Sequence, residues 1–328
     1  MCPDSEISSH TRENSPFEFN PSTKSFDSNF AIKHFHRSSA GNIEKESDIR
    51  PLPILISTVN YIITQLIPLY NLDLSFYHFL SDRFRAIEKD IFVQKIVCIE
   101  VIPIYEIISS FHIISGILLN TYPTFDPFLT KESISRSLFS LIQTFKDLET
   151  DETFHKSILE SPFYYDFWAA YLGTFISQPI FLQELHRIPS FILQNPKIRF
   201  LLKLRSFILN DNIIGFLQTL SLLPFFVQCS IILFTPDVWN TIILKFRQSI
   251  FKREFHSSFL ELLQLPKDSW NIYGIIYNEE KQTCTFDLNK QIDHFPDLLI
   301  PQQIIDEYNS SPFKDSLSSF LHQFILSK

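Results

Sequence analysis

The sequence predicts a mainly α-helical chain that carries a small β-hairpin near its end. Among 328 residues there are 35 Phe and only 5 Gly, which is typical of helices with large side chains and few tight turns. Apolar residues recur every three or four positions along most of the chain, as they do on helices that bury one face. Near the end, residues 275–277 and 283–286 are rich in β-branched and aromatic residues and flank a polar turn, which predicts the hairpin.

The helices are predicted to begin after a polar segment. Residues 1–50 show no sustained periodicity, so they are expected to lie over the surface as an extended arm or to be partly disordered. A stack of antiparallel helices is the expected architecture for the rest. Helices are predicted near residues 53–69, 75–98, 101–119, 130–148, 196–209, 212–222, 225–234, 237–252, 257–264, 267–272 and 313–326.

Charge and cysteine content restrict the class of protein. The net charge of -8 argues against a protein that binds nucleic acid over its whole surface. The four cysteines are far apart, so their spacing predicts neither a disulfide framework nor a zinc motif. A reducing compartment is therefore favoured, and the polar N-terminus argues against a signal peptide.

Two uncharged stretches raise a membrane alternative. Residues 51–72 and 213–234 are long and apolar enough to cross a bilayer. Both contain polar residues and inner prolines, which favours buried helix pairs broken at proline. An integral membrane protein therefore stays the alternative from a different class, and no membrane insertion is the preferred prediction.

The stretch at residues 77–114 contains the most distinctive pattern in the chain. Asp82, Arg85, Glu88 and Lys89 are spaced three or four apart, which predicts a polar ladder on the helix face away from the core. Asp82 and Asp90 are expected to form structural ion pairs with neighbouring bases rather than a catalytic carboxylate pair. The apolar residues at helical spacing are Phe84, Ile87, Ile91, Ile104, Ile107, Ile108 and Phe111.

This stretch resembles the signature of the GANP/Sac-three family. In that signature Asp-Arg-x-Arg-Ala-Ile precedes Asp, Gln, Glu and finally Phe-His-Ile. The matching residues are Asp82, Arg83, Arg85, Ala86, Ile87, Asp90, Gln94, Glu106, Phe111, His112 and Ile113. The chain departs from the pattern at Glu88, where the family usually has a base, and at Ser110, where it has Arg; Pro103 also interrupts the second helix near its start.

The polar N-terminal segment resembles the same family in order and spacing. Met1-Cys2-Pro3 matches the family's N-terminal motif, and taken as a true start it predicts that no long domain precedes it. Residues 32–41, with Arg37 and Gly41, match a second motif. Asp48-Ile49-Arg50-Pro51 matches a third. The resemblance covers about residues 1–290.

The resemblance implies a non-enzymatic scaffold of the TREX-2 complex in nuclear mRNA export. It implies a PCI-type architecture, in which an antiparallel helical-repeat stack ends in a winged helix with the hairpin as its wing. The implied domains are an arm at 1–50, a helical stack at 51–195, PCI-type helices and winged helix at 196–290, and a tail at 291–328. The implied partners are a second PCI protein and a small acidic stabilising subunit, at the nuclear envelope or nuclear pore.

A local excess of positive charge provides candidate contacts to nucleic acid. Residues 196–253 contain eight basic and two acidic residues, which favours binding of phosphates without sequence readout. By resemblance, paired winged helices form a platform for RNA or single-stranded DNA. The candidate binding residues are Lys245, Arg247, Lys252, Arg253, Lys267 and Lys281. Solvated helix surfaces are the plain alternative.

The sequence indicates neither catalysis nor a cofactor. It contains no Gly-rich phosphate loop, His-Glu-x-x-His, Gly-x-Ser-x-Gly or Cys-x-x-Cys motif. His34 and His36 alternate in the arm, but two imidazoles alone are weak evidence for a metal, and no metal site is predicted. His112 is expected to be a core or partner-facing residue. Other scaffold roles stay open: transcription elongation, a centrosomal assembly, or a particle like the proteasome lid or signalosome.

Overall fold

The computed structural model describes residues 1–20, 22–36, 45–120, 122–149, 163–250, 254–258, 260, 265, 267–287 and 321. Within these residues the protein is mainly helical and has a small antiparallel sheet, which confirms the predicted class. The chain divides into two compact units, Met1–Ser161 with Asp315–Lys328 and Pro162–Lys314. The domain boundaries inferred from the sequence stay predictions.

The first unit is built from five helices along the described part of its chain. A short helix in the arm comes first, and the others follow residue 51. They are α1 (Asp4–Glu13), α2 (Leu52–Tyr61, continued by a π-helical turn at Ile62–Leu66 and by Ile67–Leu69), α3 (Leu74–Gln94), α4 (Ile102–Leu118) and α5 (Pro127–Leu148). The arm helix α1 has no counterpart among the predicted helices, because its sequence lacks an apolar stripe.

Helix α4 is the core helix of this unit. It packs against α3 and α5, and nearly all its side chains are buried. Its apolar residues recur all round the helix rather than on one stripe, which is typical of a helix surrounded by protein. Pro103 does not interrupt it, because this proline lies in the first turn, where its missing N–H has no intrahelical partner to lose.

Two helices in the described residues are long and apolar enough to cross a membrane. One is Ile99–Leu118, whose most apolar 18-residue stretch is 89% buried, and the other is Glu46–Leu69, whose corresponding stretch is 39% buried. The predicted break within residues 51–72 is wrong, because the helix runs to Leu69 with its prolines in the first and last turns. In 213–234, by contrast, Pro224 separates two helices as predicted.

The second unit contains the remaining helices of the described chain. They are α6 (Tyr164–Gly173), α7 (Ile180–His186), α8 (Ser190–Leu193), α9 (Pro196–Leu209), α10 (Ile213–Leu220), α11 (Phe225–Phe234), α12 (Pro236–Ile250) and α13 (Lys267–Trp270). Helices α6 and α11 approach closely because of Gly173, where an added Cβ would lie 2.8 Å from Ile231 Cγ1. Ser230 Oγ donates to the Ala170 carbonyl across the same contact, at 3.1 Å.

A three-stranded antiparallel sheet follows these helices. Its strands are β1 (Phe255–His256), β2 (Ile275–Asn278) and β3 (Thr283–Phe286), in the order β1-β3-β2. The predicted hairpin is therefore confirmed as β2 and β3. Asn278 Oδ1 accepts hydrogen bonds from the Glu280 and Lys281 amides, which closes the turn. Strand β1 is too short to leave a periodic pattern in the sequence.

Some predicted elements lie outside the described residues. These are most of the helix at 257–264 and of the helix at 313–326, of which the structure describes only Ser257, Ser258, Leu260 and Leu321. The same holds for the end of the predicted helix at 237–252, beyond Ile250.

Candidate functional site: the arm-binding face of α3

Helix α3 presents one face to the core and the other to the N-terminal arm. It begins at an Asp73 cap, whose side chain accepts from the Phe76 amide at 2.8 Å, and ends at Lys95 in the left-handed conformation. Phe84 and Ile87 are fully buried in the core. The opposite face carries charged side chains, and the arm residues that meet it are also charged.

Asp90 pairs with two cations from the arm. Its two carboxylate oxygens accept from Lys33 Nζ at 2.7 Å and from Arg50 Nε at 2.6 Å, and all three side chains are at most 4% exposed. Lys33 Nζ also donates to the Asp48 carbonyl at 2.7 Å. Gln94 Nε2 donates to the Arg50 carbonyl at 2.8 Å. We call Lys33, Arg50 and Asp90 the Asp90 cluster; it attaches the end of the arm to α3.

A second cluster lies two turns earlier on α3. Arg83 donates to Glu18 Oε1 at 3.1 Å, and Glu18 Oε2 lies 2.7 Å from His10 Nδ1. His10 and Glu18 are fully buried and Arg83 is 3% exposed. Glu18 Oε1 also accepts from the Ile32 amide at 3.2 Å. We call His10, Glu18 and Arg83 the Arg83 cluster; it joins two separate parts of the arm to one helix.

The contacts within the Arg83 cluster favour charged side chains. Burial opposes the charge on His10, but contacts with Cys2, Glu18 and Glu6 outweigh it and raise the pKa to about 11. Burial also opposes the charge on Glu18, but His10 and Arg83 hold the pKa of its carboxyl below the usual value. The cluster is therefore a cation–anion–cation series at neutral pH.

Peripheral contacts extend the interface along α3. Arg85 lies over the Phe35 ring, 4.1 Å from its centroid, and Lys89 Nζ donates to the His36 carbonyl at 2.8 Å. The Phe35 amide donates to Asp82 at 3.1 Å. His34 Nδ1 lies 2.9 Å from Arg83 Nη1, so this histidine is part of the same interface.

The residues of the predicted polar ladder on α3 also contact other segments of the chain. Glu88 is 7% exposed and pairs with Arg136 of α5 at 3.1 Å, and Asp82 and Lys89 contact the arm. Burial raises the pKa of Glu88, and Arg136 only partly offsets this effect. The charged face of α3 is thus mostly covered by protein. Helical spacing shows which residues share a face, but it does not show what packs on that face.

The N-terminal arm also buries charged side chains. Within residues 1–36 and 45–50, four charged or titratable side chains are at most 4% exposed: His10, Glu18, Lys33 and Arg50. Their polarity predicts exposure only if they have no partners. Helix α3 supplies partners to Glu18, Lys33 and Arg50, and His10 pairs with Glu18 within the arm. Asp90, expected to pair with its helix neighbours, pairs with the arm instead.

The rest of the family signature lies in the core. Phe111 is fully buried, and its ring centroid is 5.7 Å from that of Tyr77. His112 is 1% exposed and its Nδ1 lies 3.4 Å from the Tyr77 hydroxyl. Burial, with a contribution from Arg136, lowers the pKa of His112 to about 3, so this ring is neutral at pH 7. Glu106 is also buried.

The predicted nucleic-acid residues are only partly available to a phosphate. Lys245 pairs with Asp211, and Arg247 Nη2 donates to the Asp287 carbonyl at 2.6 Å. Lys267 and Lys281 are exposed, although Glu279 and Glu280 lie beside Lys281 in the hairpin turn. Four predicted site residues lie outside the described residues: Arg37, Gly41, Lys252 and Arg253.

The fold and this interface define a helical protein whose N-terminal arm is attached to a helix by buried ion pairs. The model of the SAC3/GANP family matches residues 1–267, and the chain belongs to this family. The match covers both the arm and α3, so the motifs that mark the family in the sequence are the segments joined in the structure.

Two relatives have sequences similar to this chain. SAC3 family protein 1 of Schizosaccharomyces pombe is 26% identical over 220 residues, which is 65% of this chain and 20% of the relative. SAC3 family protein B of Arabidopsis thaliana is 32% identical over 163 residues, or 45% of this chain and 9% of the relative. The matched region thus spans a fifth or less of these relatives.

Proposed function

We propose that the protein is a non-enzymatic scaffold in nuclear mRNA export, of the TREX-2 type. The observation that carries the proposal is the family match over residues 1–267, together with the buried ion pairs that join two of its three N-terminal motifs, through Lys33 and Arg50, to α3. A scaffold needs a rigid frame that positions distant surfaces, and buried ion pairs favour one arrangement of the arm.

The second unit is proposed to be the PCI-type module that binds a second PCI protein and a small acidic subunit. The strand order β1-β3-β2, with helices preceding the sheet, is compatible with a winged helix. Strand β2 is an edge strand, and its Ile276 and Tyr277 are 56% and 39% exposed. Exposed apolar side chains on an edge strand are suited to being covered by another protein.

Affinity purification of the C-terminally tagged full chain, followed by mass spectrometry, tests this proposal. We expect a stoichiometric PCI protein and a small acidic subunit. Ile276→Glu should release the partner, whereas Leu182→Glu, at an equally exposed site on α7 (57%), should not. Co-purification with the subunits of a proteasome-lid-like particle would contradict the proposed role in mRNA export and would support a scaffold role in that particle. Recovery only in detergent would instead support the membrane alternative.

The surface around Lys267 and the hairpin turn at Lys281 is proposed to bind single-stranded RNA or DNA without sequence readout. We expect the double variant Lys267→Gln, Lys281→Gln to bind RNA more weakly, with an affinity that depends less steeply on salt. The negative slope of log affinity against log salt should become smaller in magnitude by about 0.7 for each phosphate that the variant no longer neutralises. Fluorescence anisotropy at several salt concentrations measures this slope. Lys24→Gln, an exposed lysine in the first unit, is the control. An unchanged slope in the double variant would exclude these two residues as phosphate-binding groups.

A further inference from the structure

We propose that Cys2, Glu6 and His10 form a zinc-binding site at the start of the arm. Glu6 and His10 are four residues apart and share one face of α1, and Cys2 precedes the helix by two residues. One ligand atom from each side chain, a thiol sulfur, a carboxylate oxygen and an imidazole nitrogen, lies within 4.8 Å of the others. This inference goes beyond the scaffold proposal and does not depend on it.

The buried His10 ring supplies the independent observation. Its Nδ1 is 2.7 Å from Glu18 Oε2, and its Nε2, among the residues that the structure describes, makes no hydrogen bond. This Nε2 lies 3.8 Å from Glu6 Oε2 in a fully buried side chain. A buried ring nitrogen without a partner is unfavourable. A metal ion between Nε2, Glu6 and Cys2 would satisfy it.

The contact between His10 and Glu18 has the form expected around a metal ligand. Histidines that bind metals usually place their other ring nitrogen against a carboxylate, which orients the ring and increases its basicity. Glu18 is itself held by Arg83 and by the Ile32 amide. The Arg83 cluster would therefore position the ligand, and the metal would attach α1 to the same network.

The ligand set favours zinc over other metals. Thiolate, imidazole and carboxylate are the ligands of Zn²⁺, with bonds of about 2.0–2.3 Å in a tetrahedral arrangement. Ligand atoms in such a site are roughly 3.5 Å apart. The three ligand atoms now lie within 4.8 Å of one another, and side-chain rotations of Cys2 and Glu6 would bring them to the shorter distance. Zn²⁺ would displace the protons of the Cys2 thiol and of His10 Nε2, and water would take the fourth position. His36, whose Nε2 is 3.5 Å from Glu6 Oε1, adds a second imidazole beside this carboxylate.

The test uses the full chain with its tag at the C-terminus. Metal-free protein is titrated with Zn²⁺ against a chromophoric chelator, and the bound metal is measured by mass spectrometry. We expect one equivalent of zinc. Titration with Co²⁺ should produce the absorption of a thiolate bound to the metal. Absence of both signals in the folded wild-type protein would overturn the proposal, and His10 would then be a protonated partner of Glu18 and Glu6.

Single substitutions distinguish zinc binding at this site from zinc binding at another cysteine. Cys2→Ser and His10→Gln should lose at least about tenfold in zinc affinity, and Cys2→Ser should also abolish the cobalt–thiolate absorption. Cys98→Ser is the matched control, because Cys98 is a free cysteine of similar exposure outside the site. Glu18→Gln should weaken zinc roughly 10–100-fold while the thiolate absorption persists at saturation. Loss of the absorption in Cys98→Ser, but not in Cys2→Ser, would contradict the assignment.

Discussion

Replacing Asp90 with alanine is expected to lower the free energy of unfolding of the first unit by about 3–5 kcal/mol. The substitution removes the carboxylate that accepts from both Lys33 Nζ and Arg50 Nε, and both cationic side chains are at most 4% exposed. Urea unfolding of the purified chain, followed by circular dichroism, measures the change. Asp147→Ala, at an exposed position on α5, should change stability by less than about 0.5 kcal/mol.

A triple variant tests whether the loss comes from unpaired charge. Lys33→Met, Arg50→Met and Asp90→Leu together remove all the charges of the Asp90 cluster. Replacing a whole buried ion cluster by apolar residues is often neutral or stabilising, so the triple variant should be more stable than Asp90→Ala alone. If the triple variant is less stable than the single one, the attraction among the three charged groups itself stabilises the arm. The effect of Asp90→Ala would then not come from leaving buried charges unpaired.

Arg83→Met is expected to destabilise the first unit by a similar amount, about 3–5 kcal/mol. Methionine retains much of the apolar volume but leaves the buried Glu18 carboxylate with His10 as its remaining cationic contact. The arm should open before the helices do, because α4 and its packing are not altered. Hydrogen exchange read by mass spectrometry should therefore show faster exchange in peptides from residues 4–20 than in peptides from α4.

Arg85→Met is the matched control on the same helix. Arg85 is partly exposed and lies over the Phe35 ring, so its loss should cost about 0.5–1 kcal/mol. Equal effects of the two substitutions, or exchange that increases uniformly over α4 and the arm, would mean that Arg83 supports the whole unit rather than the docking of the arm.

Much of the helical architecture could be predicted from local pattern. The predicted helices at 75–98, 101–119, 196–209 and 225–234 correspond to observed helices within a few residues, because apolar spacing and proline positions act over single turns. Segments without that pattern were missed. Helix α1 is polar, and its buried histidine faces a carboxylate rather than apolar side chains.

The candidate site could be located but not assembled from the sequence. The family motifs include Asp82, Arg83 and Asp90 on α3 and Lys33 and Arg50 in the arm. Glu18 and His10, which complete the Arg83 cluster, carry no signal of their own. Glu6 and His10 are spaced like ligands on one helix face, and that spacing together with Cys2 was the available hint of a metal site.

The helical class, the hairpin and the shared family pattern of α3 and the arm can all be inferred from the sequence. These are properties of short segments, in which spacing and side-chain type act locally. Only the tertiary structure decided which charges are buried and with which partners. Asp90 meets Lys33 and Arg50 across 57 and 40 residues of chain, and Arg83 meets Glu18 across 65. Sequence spacing describes neighbours within a helix, whereas these pairs depend on the path by which the arm returns to α3.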